Sequence, residues 1–331
     1  MFQRWLVATA VVCGFAATAF AADEWVGARV MPRAEFQLKE RERVIPDSKL
    51  NSMPYVVRKQ NGEWLLVGDR VPGWAHRSQV APLAEAAAYY TQLLAKKKDD
   101  PLTLVRRAIV YTETQQPDLA QADYSAALKL DPKNATALNN RGALLAAKKD
   151  YEKAVADFSA AIKLTPNFAQ AYNNRGSVYV EQKKLDEALA DFDAAIKHDA
   201  EDARALYNRA NLWEAKGDLP KAIADYQAAI KLRPNHSRAY NNLAWIYATH
   251  PTDIRNGAEA VKLAEKAATL TQEKDVETLD TLAAAYAEAG EWDKALATQG
   301  KVINLLPADK RKEAEDRLLL YRDKKAFRSG M

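Results

Sequence analysis

Cysteine and histidine, the residues that most often build redox and metal sites, are scarce in this chain. Cys13 is the only cysteine, and the four histidines are His76, His198, His236 and His250. None of the histidines has the H-E-x-x-H spacing that places two metal ligands on one helical face. The sequence therefore predicts no disulfide, no thiol catalysis and no metal site.

Glycine-rich motifs and an excess of one charge are also missing. The 12 glycines of the 331 residues form no G-x-S-x-G elbow, no P-loop and no G-x-G-x-x-G. The 48 Lys and Arg residues nearly balance the 44 Asp and Glu residues, and the net charge is +4. Both signs are interspersed, which argues against a nucleic-acid partner. We therefore predict a protein that is not an enzyme and needs no cofactor.

The only long apolar run lies at the start of the chain. Arg4 precedes the run WLVATAVVCGFAATAF, and Ala19-Phe20-Ala21 forms a small-x-small cleavage site. These features are typical of a signal peptide, here residues 1–22. They predict export to the periplasm or the extracellular space, without a stable membrane span after cleavage. The run is short for a membrane span; an uncleaved N-terminal anchor is the alternative.

A 34-residue pattern recurs in register in four copies, which begin at Pro101, Ala135, Ala169 and Ala203. Small residues return at places 8, 20 and 27, and an aromatic residue returns at place 24. Place 8 holds Ala108, Gly142, Gly176 and Ala210, and place 24 holds Tyr124, Phe158, Phe192 and Tyr226. Small residues let two antiparallel helices approach closely, and the aromatic ring fills the space between them. Because each helix pair buries only part of its apolar stripe, the copies must stack.

Two further copies begin at Ser237 and Val276, the first with extra residues around THPTDIRNG. The pattern resembles the tetratricopeptide repeat (TPR) family. The resemblance implies a mostly α fold, a right-handed α-solenoid of six helix-turn-helix repeats over residues 101–307. Residues 84–100 are then expected to form a capping helix at one end, and residues 308–331 a charged helix that keeps the other end soluble.

Residues 23–83 have a different character. Pro32, Pro46, Pro54 and Pro72 interrupt any helix, and PYVVRKQ and EWLLVG flank an Asn-Gly turn, a strong hairpin signal. The segments GARVM and GWAHRSQV supply candidates for further strands. This order resembles bacterial SH3-like small barrels, so we expect a small all-β domain before the repeats.

Arginine and aspartate recur together within the repeats. Place 7 holds Arg107, Arg141, Arg175 and Arg209, and place 23 holds Asp123, Asp157, Asp191 and Asp225. Both residue types disappear together in the last two copies, where Leu243 and Leu263 stand instead in the fifth. This pattern predicts one Arg–Asp bridge between the two helices of each of the first four repeats. A basic ladder for phosphate is the alternative.

Asparagine recurs at places 5 and 6 of the first helices, which line the concave face of a TPR stack. The residues are Asn139, Asn140, Asn173, Asn174, Asn208, Asn241 and Asn242. A column of amides offers donors and acceptors to an extended peptide backbone. It resembles the asparagine ladder in the TPR arm of O-linked N-acetylglucosamine transferases, although no glycosyltransferase domain is present. The alternative is that these amides bond neighbouring helices or water.

Three further residues complete the predicted peptide-binding groove. Trp245, at place 9, is a candidate hydrophobic anchor. Arg204 and Arg238 fit single places of the carboxylate clamp with which some TPR proteins grip chaperone C-termini, but its other basic places hold asparagine. The groove thus predicts a protein or peptide partner.

The arrangement of the whole chain resembles exported bacterial TPR proteins with an N-terminal SH3-like domain, a group that implies no defined activity. The first hypothesis is a non-enzymatic scaffold of the cell envelope that binds an extended polypeptide. The alternative is a cell-wall or glycan-binding module that acts through the SH3-like domain.

Overall fold

The computed structural model describes residues 26, 28–33, 39–40, 43–44, 54–61, 64–67 and 73–329. The predicted signal peptide, residues 1–22, lies outside the described residues. The chain divides into two compact units, residues 1–132 and residues 133–331.

The first unit begins with a seven-stranded sheet in the order β3-β2-β6-β5-β4-β1-β7. The strands are β1 (Arg29–Pro32), β2 (Lys39–Glu40), β3 (Arg43–Val44), β4 (Tyr55–Asn61), β5 (Trp64–Val67), β6 (Gly73–His76) and β7 (Val80–Pro82). Every pairing is antiparallel, and β4 and β5 form the hairpin predicted from the Asn-Gly turn. Alternate residues Tyr55 and Val57 of β4 and Leu65 and Val67 of β5 supply its buried core, as the two-residue period of a strand requires.

Three helices complete the first unit. They are α1 (Leu83–Lys96), α2 (Pro101–Glu113) and α3 (Pro117–Leu130). The buried Tyr90 of α1 donates its hydroxyl hydrogen to the Pro32 carbonyl oxygen of β1, and Arg29 of β1 forms an ion pair with Glu113 of α2. Polar contacts therefore hold the sheet against α1 and α2, in addition to the chain connection between β7 and α1.

In the second unit, every regular element of the described residues is a helix. Each of its repeats consists of a first helix and a second helix. The first helices of the repeats are α4 (Ala135–Ala147), α6 (Ala169–Glu181), α8 (Ala203–Ala215), α10 (Ser237–Thr249) and α12 (Val276–Glu288). Its second helices are α5 (Tyr151–Leu164), α7 (Leu185–His198), α9 (Leu219–Leu232), α11 (Gly257–Leu270) and α13 (Trp292–Leu305), followed by α14 (Lys312–Arg322). The first helices begin at the residues where the 34-residue pattern restarts.

Close helix approach in this unit depends on glycine beneath an aromatic ring. Phe158 is fully buried, and a Cβ atom placed on Gly142 would lie 2.8 Å from its Cε1 atom. Gly176 and Phe192 repeat this relationship at the same distance. The small residue at place 8 and the ring at place 24 thus act as one packing unit.

The C-terminal segment packs against the repeats. Ala314 and Tyr321 of α14 are buried, whereas Leu319 is 55% exposed. After α14 the chain turns back, and the Ser329 backbone N–H donates to the Thr249 carbonyl oxygen over 3.0 Å. The charged helix was predicted, but this return onto α10 was not.

Candidate functional site

The four predicted Arg–Asp bridges are present, so this prediction is confirmed. In each of the first four repeats the arginine Nε and Nη2 atoms donate to the two carboxylate oxygens over 2.7 to 2.8 Å. The Asp191 side chain is only 7% exposed, and its hydrogen bonds raise the pKa of Arg175. Each of these guanidinium groups is held by its own carboxylate, which favours structure over phosphate binding.

The fifth repeat replaces this bridge with apolar packing. Leu243 of α10 and Leu263 of α11 are 2% and 9% exposed and belong to one buried cluster. An ion pair and an apolar pair therefore serve the same interhelical position, as the joint disappearance of Arg and Asp indicated.

The asparagine column is a ladder between neighbouring repeats. The Asn174 Nδ2 atom donates to Asn139 Oδ1 over 3.0 Å, and Asn208 Nδ2 donates to Asn173 Oδ1 over 2.9 Å. Asn139 also donates to Asn140 Oδ1 over 3.1 Å.

Two of these asparagines differ from the expectation that they line the groove. Asn139 and Asn173 are 1% and 4% exposed, so their side chains do not reach a peptide. They lie between adjacent first helices, where burial forces each amide to find a protein partner. Their role is therefore to support Asn174 and Asn208, which remain partly exposed.

Asn242 belongs to a different network, built around the buried Tyr226. Its Nδ2 atom lies 3.0 Å from Asn211 Oδ1 and 3.2 Å from the Tyr226 hydroxyl oxygen. The Tyr226 hydroxyl lies 2.7 Å from Glu214 Oε2 and 2.5 Å from Asn211 Oδ1. Burial is the main cause of the raised pKa of Glu214, and the Tyr226 hydrogen bond opposes it. Two members of this network, Glu214 and Asn242, line a cleft.

The cleft has a volume of about 280 Å³ and opens on the first helices of three successive repeats. Its lining residues are Glu214 of α8, Asn241, Asn242 and Trp245 of α10, and Glu277, Asp280 and Thr281 of α12. The Asn241 Oδ1 atom is buried without a hydrogen-bond partner. Three carboxylates, two amides and an indole therefore converge on one surface, which suits a polar chain with apolar side groups.

The two arginines proposed for the groove lie at equivalent places of α8 and α10. Both Arg204 and Arg238 are exposed. Arg204 Nε lies 3.6 Å from Asp202 Oδ1, so part of its charge is already balanced. They provide exposed cationic positions along the first helices, at the second place of each repeat.

Trp245 has a neighbour that the repeat pattern did not reveal. Its ring centroid lies 5.8 Å from that of Phe327, at an interplanar angle of 43°. Phe327 lies in the segment after α14, outside the repeats. The one feature of the sequence that could have indicated this contact is that Phe327 is an aromatic residue among the charged residues of the terminal segment.

The described residues contain no group of His, Cys, Asp and Glu with the arrangement of a metal site. Within that same part of the chain, no helix combines the length and the apolar character needed to cross a membrane.

Sequence models described as tetratricopeptide repeats match residues 103–134, 124–156, 144–182, 173–237 and 225–259. Residues 103–259 thus consist of this repeat. No curated protein matches the chain.

Among solved structures, the APC/C hetero-tetramer Cut9–Hcn1 is similar, with a TM-score of 0.61 and 15% identity. The alignment covers 72% of this chain but 46% of the other, so this chain spans about half the length of that relative. The C-terminal part of a TPR repeat-containing protein from Cytophaga hutchinsonii has a TM-score of 0.50 and 23% identity, over 71% of this chain and 93% of that one. These similarities show the solenoid fold.

Proposed function

We propose that this chain, whose residues 103–259 are tetratricopeptide repeats, is a non-enzymatic scaffold that binds an extended polypeptide along its first helices. One observation carries the proposal: the cleft draws all its lining residues from α8, α10 and α12. A ligand in it therefore contacts three repeats at once, as an extended chain does and a compact small molecule need not.

The chemistry of the cleft suits a peptide backbone. Asn241 and Asn242, both partly exposed, line the cleft with their amides, and an amide offers a donor and an acceptor to a peptide backbone. Trp245 offers a large flat apolar surface beside these amides, and such residues commonly anchor interfaces. Glu277 is exposed at the rim and favours a cationic side chain next to the bound backbone.

A peptide-selection experiment tests the scaffold proposal. The full chain is used to select binders from a library of random unstructured peptides, and their affinities are measured by fluorescence anisotropy. We expect dissociation constants of about 10 μM, equivalent to about −7 kcal/mol. Glu277→Lys should weaken the binding of cationic peptides at least tenfold, because it inverts a charge at the rim.

The chain offers a matched control for that substitution. Glu187 is also exposed and also lies in the first turn of a helix, but in the second helix α7. Glu187→Lys should leave binding unchanged. Equal effects of both substitutions would mean that net charge, and not the cleft, governs affinity.

We further propose that the protein works in the cell envelope after removal of residues 1–22. Intact-mass analysis of exported material should show a chain that starts near Ala22 or Asp23. A mass that includes Met1 and Cys13 would favour the anchored form. If the selection yields no peptide while isolated cell-wall material retains the full chain, the small β domain becomes the better candidate for binding.

A further inference from the structure

The segment after α14 occupies the end of the first-helix surface. Phe327 packs against Trp245 of α10, with ring centroids 5.8 Å apart. The Arg317 guanidinium also lies over the Phe327 ring, 5.4 Å from its centroid. An aromatic residue outside the repeats is therefore held by an indole and a cation that belong to the folded surface.

The next two residues are held by polar contacts. Arg328 Nη1 lies 2.7 Å from Glu288 Oε2 at the end of α12. The Ser329 backbone N–H donates to the Thr249 carbonyl oxygen over 3.0 Å, and the Thr249 hydroxyl donates to Ser329 Oγ over 3.1 Å. Phe327, Arg328 and Ser329 thus make three different kinds of contact in succession, none of which depends on helical structure.

The charged groups that this segment contacts, and the Thr249 hydroxyl, each have a second partner within the folded surface. Glu288 Oε1 accepts from Arg255 Nε over 3.0 Å, and Arg255 lies in the extra residues of the fifth repeat. Arg317 Nη2 lies 2.9 Å from Asp280 Oδ2. The Thr249 hydroxyl can return to the Trp245 carbonyl oxygen, 2.9 Å away.

Release of the segment therefore leaves no charge buried without a partner. A buried carboxylate that loses its only cation is strongly destabilised, but Glu288 keeps Arg255 and Arg317 keeps Asp280. A contact that a partner displaces requires such second partners for its charged groups, whereas a purely structural contact does not.

The same surface continues into the cleft. Trp245 contacts Phe327 and also lines the cleft, and Asp280 both lines the cleft and holds Arg317. A peptide that lies along α10 and α12 thus meets the cleft and the Phe327 position in one continuous path.

We infer that Trp245, Thr249 and Glu288 form a recognition site for an extended peptide in which an aromatic residue is followed by arginine. The chain's own residues Phe327–Ser329 occupy this site when no partner is bound, and a partner with the same chemistry displaces them. The inference rests on the proposed polypeptide-binding function and adds both its ligand chemistry and its regulation.

An attached competitor acts at high effective concentration. A short tether holds a segment near its site at an effective concentration of about a millimolar. A free peptide binds only those chains whose site is open, so its apparent affinity is the intrinsic affinity multiplied by the open fraction. Release of the segment should therefore tighten binding of a free peptide without any change to the site.

The test uses the full chain and a fluorescent peptide of sequence DKKAFRS, which copies residues 323–329. The released variant carries Phe327→Ala and Arg328→Ala. We expect it to bind the peptide at least tenfold more tightly than the unaltered chain. Addition of Trp245→Ala to the released variant should abolish binding, and a control peptide DKKAAAS should bind neither chain.

A second measurement protects the test against misfolding of the released variant. Hydrogen exchange of residues 323–329 is followed in the unaltered chain with and without excess DKKAFRS peptide. Displacement predicts faster exchange in this segment and unchanged exchange in α4 and α5. No displacement by peptide and no gain in affinity for a well-folded released variant would overturn the inference.

The outcome separates this inference from the broader proposal. If library-selected peptides bind the cleft with equal affinity in the unaltered and released chains, the segment has only a packing role and the scaffold proposal stands. If neither DKKAFRS nor any library peptide binds the folded chain, the scaffold proposal itself fails.

Discussion

Asn174 donates its side-chain amide to Oδ1 of Asn139, 3.0 Å away in the preceding repeat. Asn139 is 1% exposed, so this bond satisfies an acceptor that water does not reach. The asparagine column therefore joins neighbouring repeats, whatever else its exposed members bind.

The first prediction follows from this bond. Asn174→Ala should reduce the free energy of unfolding by about 1–3 kcal/mol, because it leaves Asn139 Oδ1 buried and unpaired. Urea unfolding measures this loss. Asn167→Ala, in an exposed turn, is the control and should change stability by less than about 0.5 kcal/mol. Equal stability of both variants would mean that the ladder bond contributes nothing.

The Arg–Asp bridges give the second prediction. Arg175→Ala should cost about 1–3 kcal/mol, since it leaves the buried Asp191 without its cation. Arg175→Leu combined with Asp191→Leu should recover much of that loss, as the Leu243 and Leu263 pair of the fifth repeat suggests. A double variant as unstable as the sum of its single changes would contradict the pairing, and a double-mutant cycle measures this directly.

Two glycines provide the third prediction and its control. Gly142→Ala should destabilise the protein by about 1–3 kcal/mol, because the new Cβ atom meets the buried Phe158 ring. Gly300→Ala lies in helix α13 with open space around the added atom, so it should stabilise by about 0.5–1 kcal/mol. Thermal unfolding of the two variants should therefore shift in opposite directions.

Glu214 gives the fourth prediction, which concerns pH. Burial raises its pKa in the folded chain, so between about pH 4.3, the usual pKa of glutamate, and the higher folded-state pKa the folded chain keeps a proton that the unfolded chain has lost. Its favourable contribution to stability is present below the unfolded-state pKa and is lost as pH rises through the folded-state pKa. Glu214→Gln keeps an acceptor for Tyr226 and carries no charge.

The Gln variant should consequently gain stability relative to the unaltered chain as pH rises from about 4 to 7. Urea unfolding across this range measures the difference. The idea fails if the gap between the two chains stays constant or closes with rising pH.

The features that could be predicted from the sequence are mainly those that recur once in every repeat. Arg175 and Asp191 recur at a fixed separation in four copies and vanish together, so their pairing was visible without coordinates. The starts of the first helices and the hairpin between β4 and β5 were readable for the same reason: each has a local pattern with a direct physical cause.

Contacts that occur once were not readable in this way. Nothing in the spacing of Phe327 and Trp245, which are separated by helices α11 to α14, shows that they meet. The meeting of Arg255 with Glu288 depends on a loop that only the fifth repeat has. The period also places Asn139 and Asn140 side by side without revealing that the first is buried and the second partly exposed.

Binding of a peptide along the first helices is tested most directly by mapping the bound peptide onto the chain. Four variants each carry one photoreactive amino acid. It replaces Arg204 or Arg238, both exposed on first helices, or Lys197 or Lys231, both exposed near the ends of second helices. Each full-length variant is irradiated with a peptide from the selection, and the adducts are quantified by mass spectrometry. Binding along the first helices should give adducts at Arg204 and Arg238 and background levels at Lys197 and Lys231. Equal labelling at all four positions, or adducts only on the second helices, would contradict binding in the groove.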